Sequence, residues 1–194
     1  AIFNKISSKY YNQLIDYQLS ERTHELDINK KLFQFIYPLK KFSNHTLTLA
    51  DFYNQKIEIN YNDYIIIHMG SSEKNRNIPE KILFNIRDYL IKNYSGKIIL
   101  TGQSIREREL AKKIQGKFNN KILDHTGRYN IEQIFNLVNK AHMIISIDTF
   151  IAHVAYFLDK KLLCFKKENV HKNRFLPYPD YFQYTNLKTI ISFQ

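Results

Sequence analysis

At 194 residues, with 44% hydrophobic and 14% aromatic side chains, the chain has material for one buried core; five glycines and four prolines exclude a low-complexity or linker-dominated protein. Basic residues outnumber acidic ones 29 to 18, a formal charge of +11 that favours an anionic partner such as nucleic acid, acidic lipid or a phosphorylated substrate. The single cysteine, Cys164 in the apolar run KLLCFK, excludes an internal disulfide and fits a cytoplasmic protein, and no apolar stretch approaches the roughly 18–20 residues of a membrane span.

Residues 1–60 differ in character from the rest. Ser8–Leu19 and Glu21–Tyr37 carry tyrosine, leucine and isoleucine at helical spacing but have no strand beside them to cover. Residues 1–60 are therefore expected to form a helical connecting segment, and residues 61–194 a Rossmann-like domain.

From Tyr61 onward, short β-branched runs alternate with amphipathic stretches. YIIIHM at 64–69 predicts a strand, followed by a helix over 79–93. KIIL at 97–100 predicts a second strand, with a helix over 105–115. A short strand at 121–123 precedes a turn at Gly127 and a helix over 130–140. HMIISI at 142–147 leads into a helix over 150–158, and KLLCF at 161–165 closes the series. Strands that are apolar on both faces belong in a parallel sheet covered by helices on each side. Alternation of this kind is the signature of right-handed βαβ units, so the fold class is α/β: a doubly wound parallel sheet of five strands. The C-terminal FLPYPDYFQYTNLKTIISFQ predicts a loop and then a short strand or helix.

In such sheets ligands bind beyond the carboxyl ends of the strands, where the strand order reverses. Three loops fall on that edge. HMGSSEKNRNIP at 68–79 offers Ser71 and Ser72, with Lys74 and Arg76 for charge, before Pro79 opens a helix. It lacks the GxxxxGK[ST] pattern of a Walker loop. ILTGQSIRERE at 99–109 places Gln103 and Ser104 where a nucleoside hydroxyl could bind or, equally, where a serine caps a helix. SIDTFIAH at 146–153 puts Asp148 or Thr149 at a helix N-cap and His153 one turn further on. His153 there reads either as a donor to a diphosphate oxygen or as a buried core histidine. Taken singly, the first two loops look like ordinary βα connections.

The motifs gain weight together. RNIP at 76–79, DHTGRYNIEQIFNLVNKA at 124–141 and DTFIAH at 148–153 occur in order at matching spacing, and HELDINKKL lies upstream at 24–32. This series resembles the lipopolysaccharide heptosyltransferases, glycosyltransferase family 9, over about 140 residues. The resemblance implies the C-terminal, donor-binding half of a GT-B fold. It places Arg76 against the donor phosphates and Arg128 and Tyr129 beside the nucleoside. Asp148, Thr149 and His153 fall in the diphosphate loop. It also implies a nucleotide-diphosphate sugar such as ADP-heptose as a substrate rather than a cofactor; no metal is expected, because no clustered acidic pair with ligand spacing appears. The acceptor would be a lipid-linked glycan of lipopolysaccharide or a related surface polymer, reached from the cytoplasm at the inner face of the inner membrane.

Departures from the family pattern are informative. Phe150 stands where the family carries glycine close to the diphosphate, Ile78 where it carries tryptophan, and Ser104 where several relatives carry an acid for the ribose. The family's candidate catalytic base is an aspartate of the N-terminal domain, for which residues 1–60 leave no room, so no catalytic residue is assigned. The chain opens on Ala1 rather than methionine, as a fragment would. An alternative is a non-catalytic nucleotide-binding or protein-interaction module derived from the family, a reading that Phe150 favours. Nucleic acid is not expected as a partner, because no RRM, KH, zinc or helix-turn-helix signature accompanies the charge.

Overall fold

The computed structural model of the chain describes residues 59–71, 77–167 and 188–193. All of them belong to one compact unit. The helices expected over 8–19 and 21–37, the HELDINKKL motif, Ser72 and Arg76 lie outside the described residues.

Among the described residues five strands and four helices alternate as the sequence predicts, and a sixth strand follows: β1 (Tyr64–His68), α1 (Glu80–Asn93), β2 (Lys97–Thr101), α2 (Ile105–Gln115), β3 (Ile122–Asp124), α3 (Ile131–Lys140), β4 (Met143–Ile147), α4 (Phe150–Phe157), β5 (Lys161–Lys167) and β6 (Lys188–Phe193). All pair in parallel in the order β3-β2-β1-β4-β5-β6. This is the doubly wound Rossmann order, and it reverses between β1 and β4. The sixth strand corrects the expected count of five. Residues 188–193 pair with β5 from Leu162↔Lys188 to Lys167↔Phe193, which resolves the strand-or-helix ambiguity of KTIISF.

The alternation of side chains along each strand divides the core in two. On one face Tyr64, Ile66, Ile99, Ile144, Leu162 and Cys164 pack against α3 and α4. On the other, Ile65, Ile67, Ile98, Leu100, Ile122, Ile145 and Ile147 pack with Leu83 and Leu90 of α1 and Leu110 and Ile114 of α2. Cys164 is buried, as its apolar surroundings in the sequence predict. Burial on both faces explains why these strands read as nearly unbroken isoleucine runs.

Helix starts follow local chemistry. Ser104 and Asn130 head α2 and α3 with complete capping boxes, to Glu107 and Gln133 respectively. Pro79 precedes α1, where its missing N–H costs nothing, and its carbonyl accepts from Ile82 and Leu83. Among the described residues no helix is long and apolar enough to cross a membrane.

Candidate functional site

The register of the strands builds a row of polar side chains at the carboxyl edge. Ile144, Ile66, Ile99 and Leu123 stand side by side across β4, β1, β2 and β3, on the face covered by α3 and α4. Two residues further along, the same face carries His68 opposite Thr101. Continuing the β1–β4 and β2–β3 registers by one residue brings Ser146 and His125 into line with them. The backbone of His125 stays tied to the sheet, its N–H donating to the Leu100 carbonyl at 3.0 Å. An apolar row thus gives way to serine, histidine, threonine and histidine within one side-chain repeat.

Above this row lies a cleft of about 770 Å³, within the range of small-molecule sites. His68, Thr101 and His125 line its floor, and Gln103, Tyr129 and Asn130 one side. Ile131 and Phe150, the first residues of α3 and α4, line it too; they are 67% and 48% exposed, unusual for large apolar side chains. Phe150 meets Phe135 edge-on, ring centroids 5.8 Å apart.

The loops around the cleft are cross-tied. The buried Glu107 carboxylate accepts through Oε2 from the Gln103 N–H (3.0 Å), the Ser104 N–H (2.8 Å) and the Ser104 hydroxyl (2.7 Å). It lies so close to the loops after β1 and β2 that a Cβ on Gly70 would stand 2.9 Å from its Oε1, and one on Gly102 2.7 Å from its Cβ. The Gly127 N–H donates to the Gly102 carbonyl at 2.7 Å, and the Gln103 amide to the Tyr129 carbonyl at 3.0 Å. Gly127 sits at φ +71°, and a side chain there would also strike the Arg108 guanidinium.

Both floor histidines are pinned through Nδ1. His68 shares a 3.1 Å hydrogen bond with the Thr101 hydroxyl and His125 a 2.8 Å bond with the Tyr129 hydroxyl. Burial lowers the pKa of His68, with Glu107 opposing. Burial, reinforced by the charge of Arg128, lowers that of His125 to about 4. Burial raises the pKa of the Tyr129 phenol. At neutral pH His125 and Tyr129 therefore form an uncharged pair.

The predicted site residues divide. Tyr129 lines the cleft. Ser104 stands one residue from the lining Gln103, but its hydroxyl is engaged in the capping box with Glu107. Arg128 is exposed beside Tyr129 and does not line the cleft. Ser71, just beyond β1, donates its N–H to Asn77 Oδ1 at 2.7 Å.

Around α4, Asp148 is buried and its Oδ1 lies 3.5 Å from His153 Nε2. With 43% of its side chain exposed, His153 is not the core histidine that one reading of the sequence allowed. Thr149 occupies the N-cap position, yet its side chain makes no capping bond; the hydroxyl turns back to the Ile147 carbonyl at 3.4 Å and to Ser146 Oγ at 3.3 Å. The expected side-chain cap from this pair is thus corrected for Thr149: a nearer acceptor captures its hydroxyl. The first-turn N–H groups of α4 keep the partial positive charge of an uncapped helix start, next to Phe150 and Ile151 of the cleft. No group of three or more His, Cys, Asp or Glu among the described residues could hold a metal ion.

Gln103 stands where the sequence places a nucleoside hydroxyl, whereas the motifs do not single out His68, Thr101 or His125 as binding residues. Their signal was positional, each being the polar residue that ends or follows an apolar strand.

Comparison with known proteins agrees with the fold. E. coli heptosyltransferase WaaC, solved with ADP-2-deoxy-2-fluoro heptose, matches 96% of this chain and 54% of its own at 15% identity, with a TM-score of 0.62. The glycosyl transferase family 9 protein from Veillonella parvula DSM 2008 matches 88% of this chain and 41% of its own, at 13% identity and a TM-score of 0.56. For E. coli ADP-heptose lps heptosyltransferase II the coverages are 69% and 39%, at 16% identity and a TM-score of 0.53. At these identities the likeness is one of fold, and the chain spans about half the length of the WaaC structures it matches. No curated protein sequence matches it. The family model for glycosyltransferase family 9 (heptosyltransferase) covers residues 5–172, so that the DTFIAH loop and the cleft beside it lie inside the matched region. The chain belongs to glycosyltransferase family 9.

Proposed function

We propose that this chain is the donor-binding half of a glycosyltransferase and holds a nucleotide-diphosphate sugar, ADP-heptose by analogy, in the cleft at the carboxyl ends of β1 to β4. The observation that carries the reading is the position of that cleft. It straddles the point where the strand order reverses and abuts the uncapped N-terminus of α4. WaaC, which shares the fold, was solved with ADP and with an ADP-heptose analogue.

In this reading the nucleoside lies over β2 and β3, beside Gln103 and Tyr129. The diphosphate meets the α4 amides, with His153 and the serines and Arg76 of the β1–α1 loop adding donors and charge. Negative charge that develops on the leaving diphosphate is then already compensated. The base that activates the acceptor hydroxyl comes from outside the described residues. The sugar passes to a lipopolysaccharide or surface-glycan acceptor, a reaction set at the cytoplasmic face of the inner membrane, where a net charge of +11 suits anionic lipid and phosphorylated acceptor alike.

A second reading, a non-catalytic module, rests on Phe150. Its ring lines the cleft at the start of α4, where the family pattern has glycine. Calorimetric titration with ADP, ADP-heptose, UDP and GDP tests the first reading. Binding of one diphosphate, weakened in His153→Ala, supports a working donor site. Absence of binding by all four turns the assignment to the second.

A further inference from the structure

The described donor site leaves unexplained why a histidine is buried under the cleft. His125 is only 6% exposed, yet it lines the cavity. Its Nδ1 is taken by the Tyr129 hydroxyl, and among the described residues its Nε2 has no hydrogen-bond partner. That nitrogen borders the cleft rather than being sealed in the core, so a ligand in the cleft can reach it. Over the same floor stand two large apolar side chains left exposed, Ile131 and Phe150. Ile131 lies one turn before the buried Phe135 on α3, and Phe135 supports Phe150 edge-on from behind the lining.

An apolar wall above a polar floor that includes the His125 nitrogen suits a flat ligand with a hydrophobic face and a hydrogen-bonding edge. Of the three parts of a nucleotide sugar, only the base has both; the sugar and the diphosphate have no π face. We propose that His125, oriented by Tyr129, reads the edge of the nucleobase and sets which nucleotide this chain accepts. The inference rests on the donor-site reading above and adds the residue that gives it specificity.

The electrostatics agree. Burial and the neighbouring Arg128 keep the imidazole uncharged, so it offers one hydrogen bond rather than a counter-charge for phosphate. Tyr129 couples the role of Nε2 to the direction of its own hydrogen bond. A phenol that donates to Nδ1 leaves Nε2 as an N–H donor, matched to a ring nitrogen or carbonyl of the base. The reverse arrangement leaves Nε2 as an acceptor for an exocyclic amine. In either arrangement bases with the wrong edge leave a buried group unpaired, which is the strongest kind of discrimination available to a binding site.

The test compares bases rather than absolute affinities. ADP, GDP, UDP and CDP are titrated calorimetrically into the whole chain and into His125→Leu, His125→Gln and Tyr129→Phe, with folding checked by circular dichroism. The wild-type chain is expected to prefer one base by about tenfold or more over the worst, the value of one well-placed hydrogen bond. His125→Leu is expected to flatten that preference. His125→Gln, whose amide reaches the Nε2 position, restores most of it, and Tyr129→Phe gives an intermediate result. A merely structural role would lower all four affinities together and leave the ratios intact, which overturns the proposal while leaving the donor site standing. Equal affinity of the wild-type chain for all four bases overturns it as well. If the wild-type chain binds none, the donor-site reading fails and takes this inference with it. Should His125→Leu not fold, the ratios in His125→Gln and Tyr129→Phe decide.

Discussion

Asp148 and His153 face each other across the first turn of α4 at 3.5 Å, one side chain buried and the other 43% exposed. The contact gives the exposed imidazole a fixed anchor beside the cleft while the carboxylate stays out of solvent. Replacing His153 by alanine is expected to reduce nucleoside diphosphate affinity about tenfold with little change in melting temperature, because the side chain it removes is a surface one. Asp148→Ala should weaken binding similarly and, in addition, lower stability, since it removes a buried group and its contacts. Calorimetry and thermal unfolding of the two variants separate these effects.

The pH dependence of stability carries the signature of His125. Its folded-state pKa of about 4 lies below the ordinary histidine value of 6.5, so the unfolded chain binds a proton that the folded chain refuses. Stability from this group is complete above pH 6.5 and is lost as pH falls from 6.5 toward 4, by at most about 3 kcal/mol. His125→Gln cannot titrate. The difference in urea-unfolding free energy between wild type and this variant should therefore change between pH 7 and pH 4.5, with the wild type losing more. His68 is also depressed but is present in both proteins and cancels. A constant difference across that range would contradict the depressed value.

Gly102 is held to hydrogen at its α-carbon by Glu107, whose Cβ, Cδ and Oε1 would stand 2.7–2.8 Å from a methyl group there. Gly102→Ala should push the carboxylate away from the Gln103 and Ser104 donors and cost about 1–3 kcal/mol, or several degrees of melting temperature. Its effect on ligand binding should exceed that of Ser104→Ala, which loses the cap alone at about 1 kcal/mol. Melting curves and titrations of both variants check the order.

Phe150 distinguishes the two functional readings directly. As part of the wall above the nucleobase, its replacement by alanine should weaken nucleotide binding roughly fivefold, the value of a modest aromatic contact. Tighter binding in Phe150→Ala or Phe150→Gly would instead mean that the ring obstructs the site.

Most of the sheet was legible because its strands and helices have different periods. YIIIH, KIIL and MIISI are buried on both faces and read as strands, while EKILFNIRDYLIKN and IEQIFNLVNK repeat their apolar residues at helical intervals. KTIISF was ambiguous because six residues without clear alternation fit either state; only pairing with β5 decides. The site was legible in part. Tyr129, Asp148 and His153 sit in contiguous motifs. The floor row was not, because His68, Thr101 and His125 stand at the ends of three different strands and meet only through register. Thr149 misled for a local reason: a hydroxyl that could cap α4 finds the Ile147 carbonyl instead.

The exchange of an apolar row for a polar one within a single strand repeat has an engineering consequence. Ile144, Ile66, Ile99 and Leu123 anchor the helices, whereas Ser146, His68, Thr101 and His125 stand one layer above them. Selectivity can then be rewritten in the upper layer while the lower one goes on holding the fold, so that a library confined to His68, Thr101 and His125 should yield folded proteins with altered ligand preference far more often than one reaching two residues deeper.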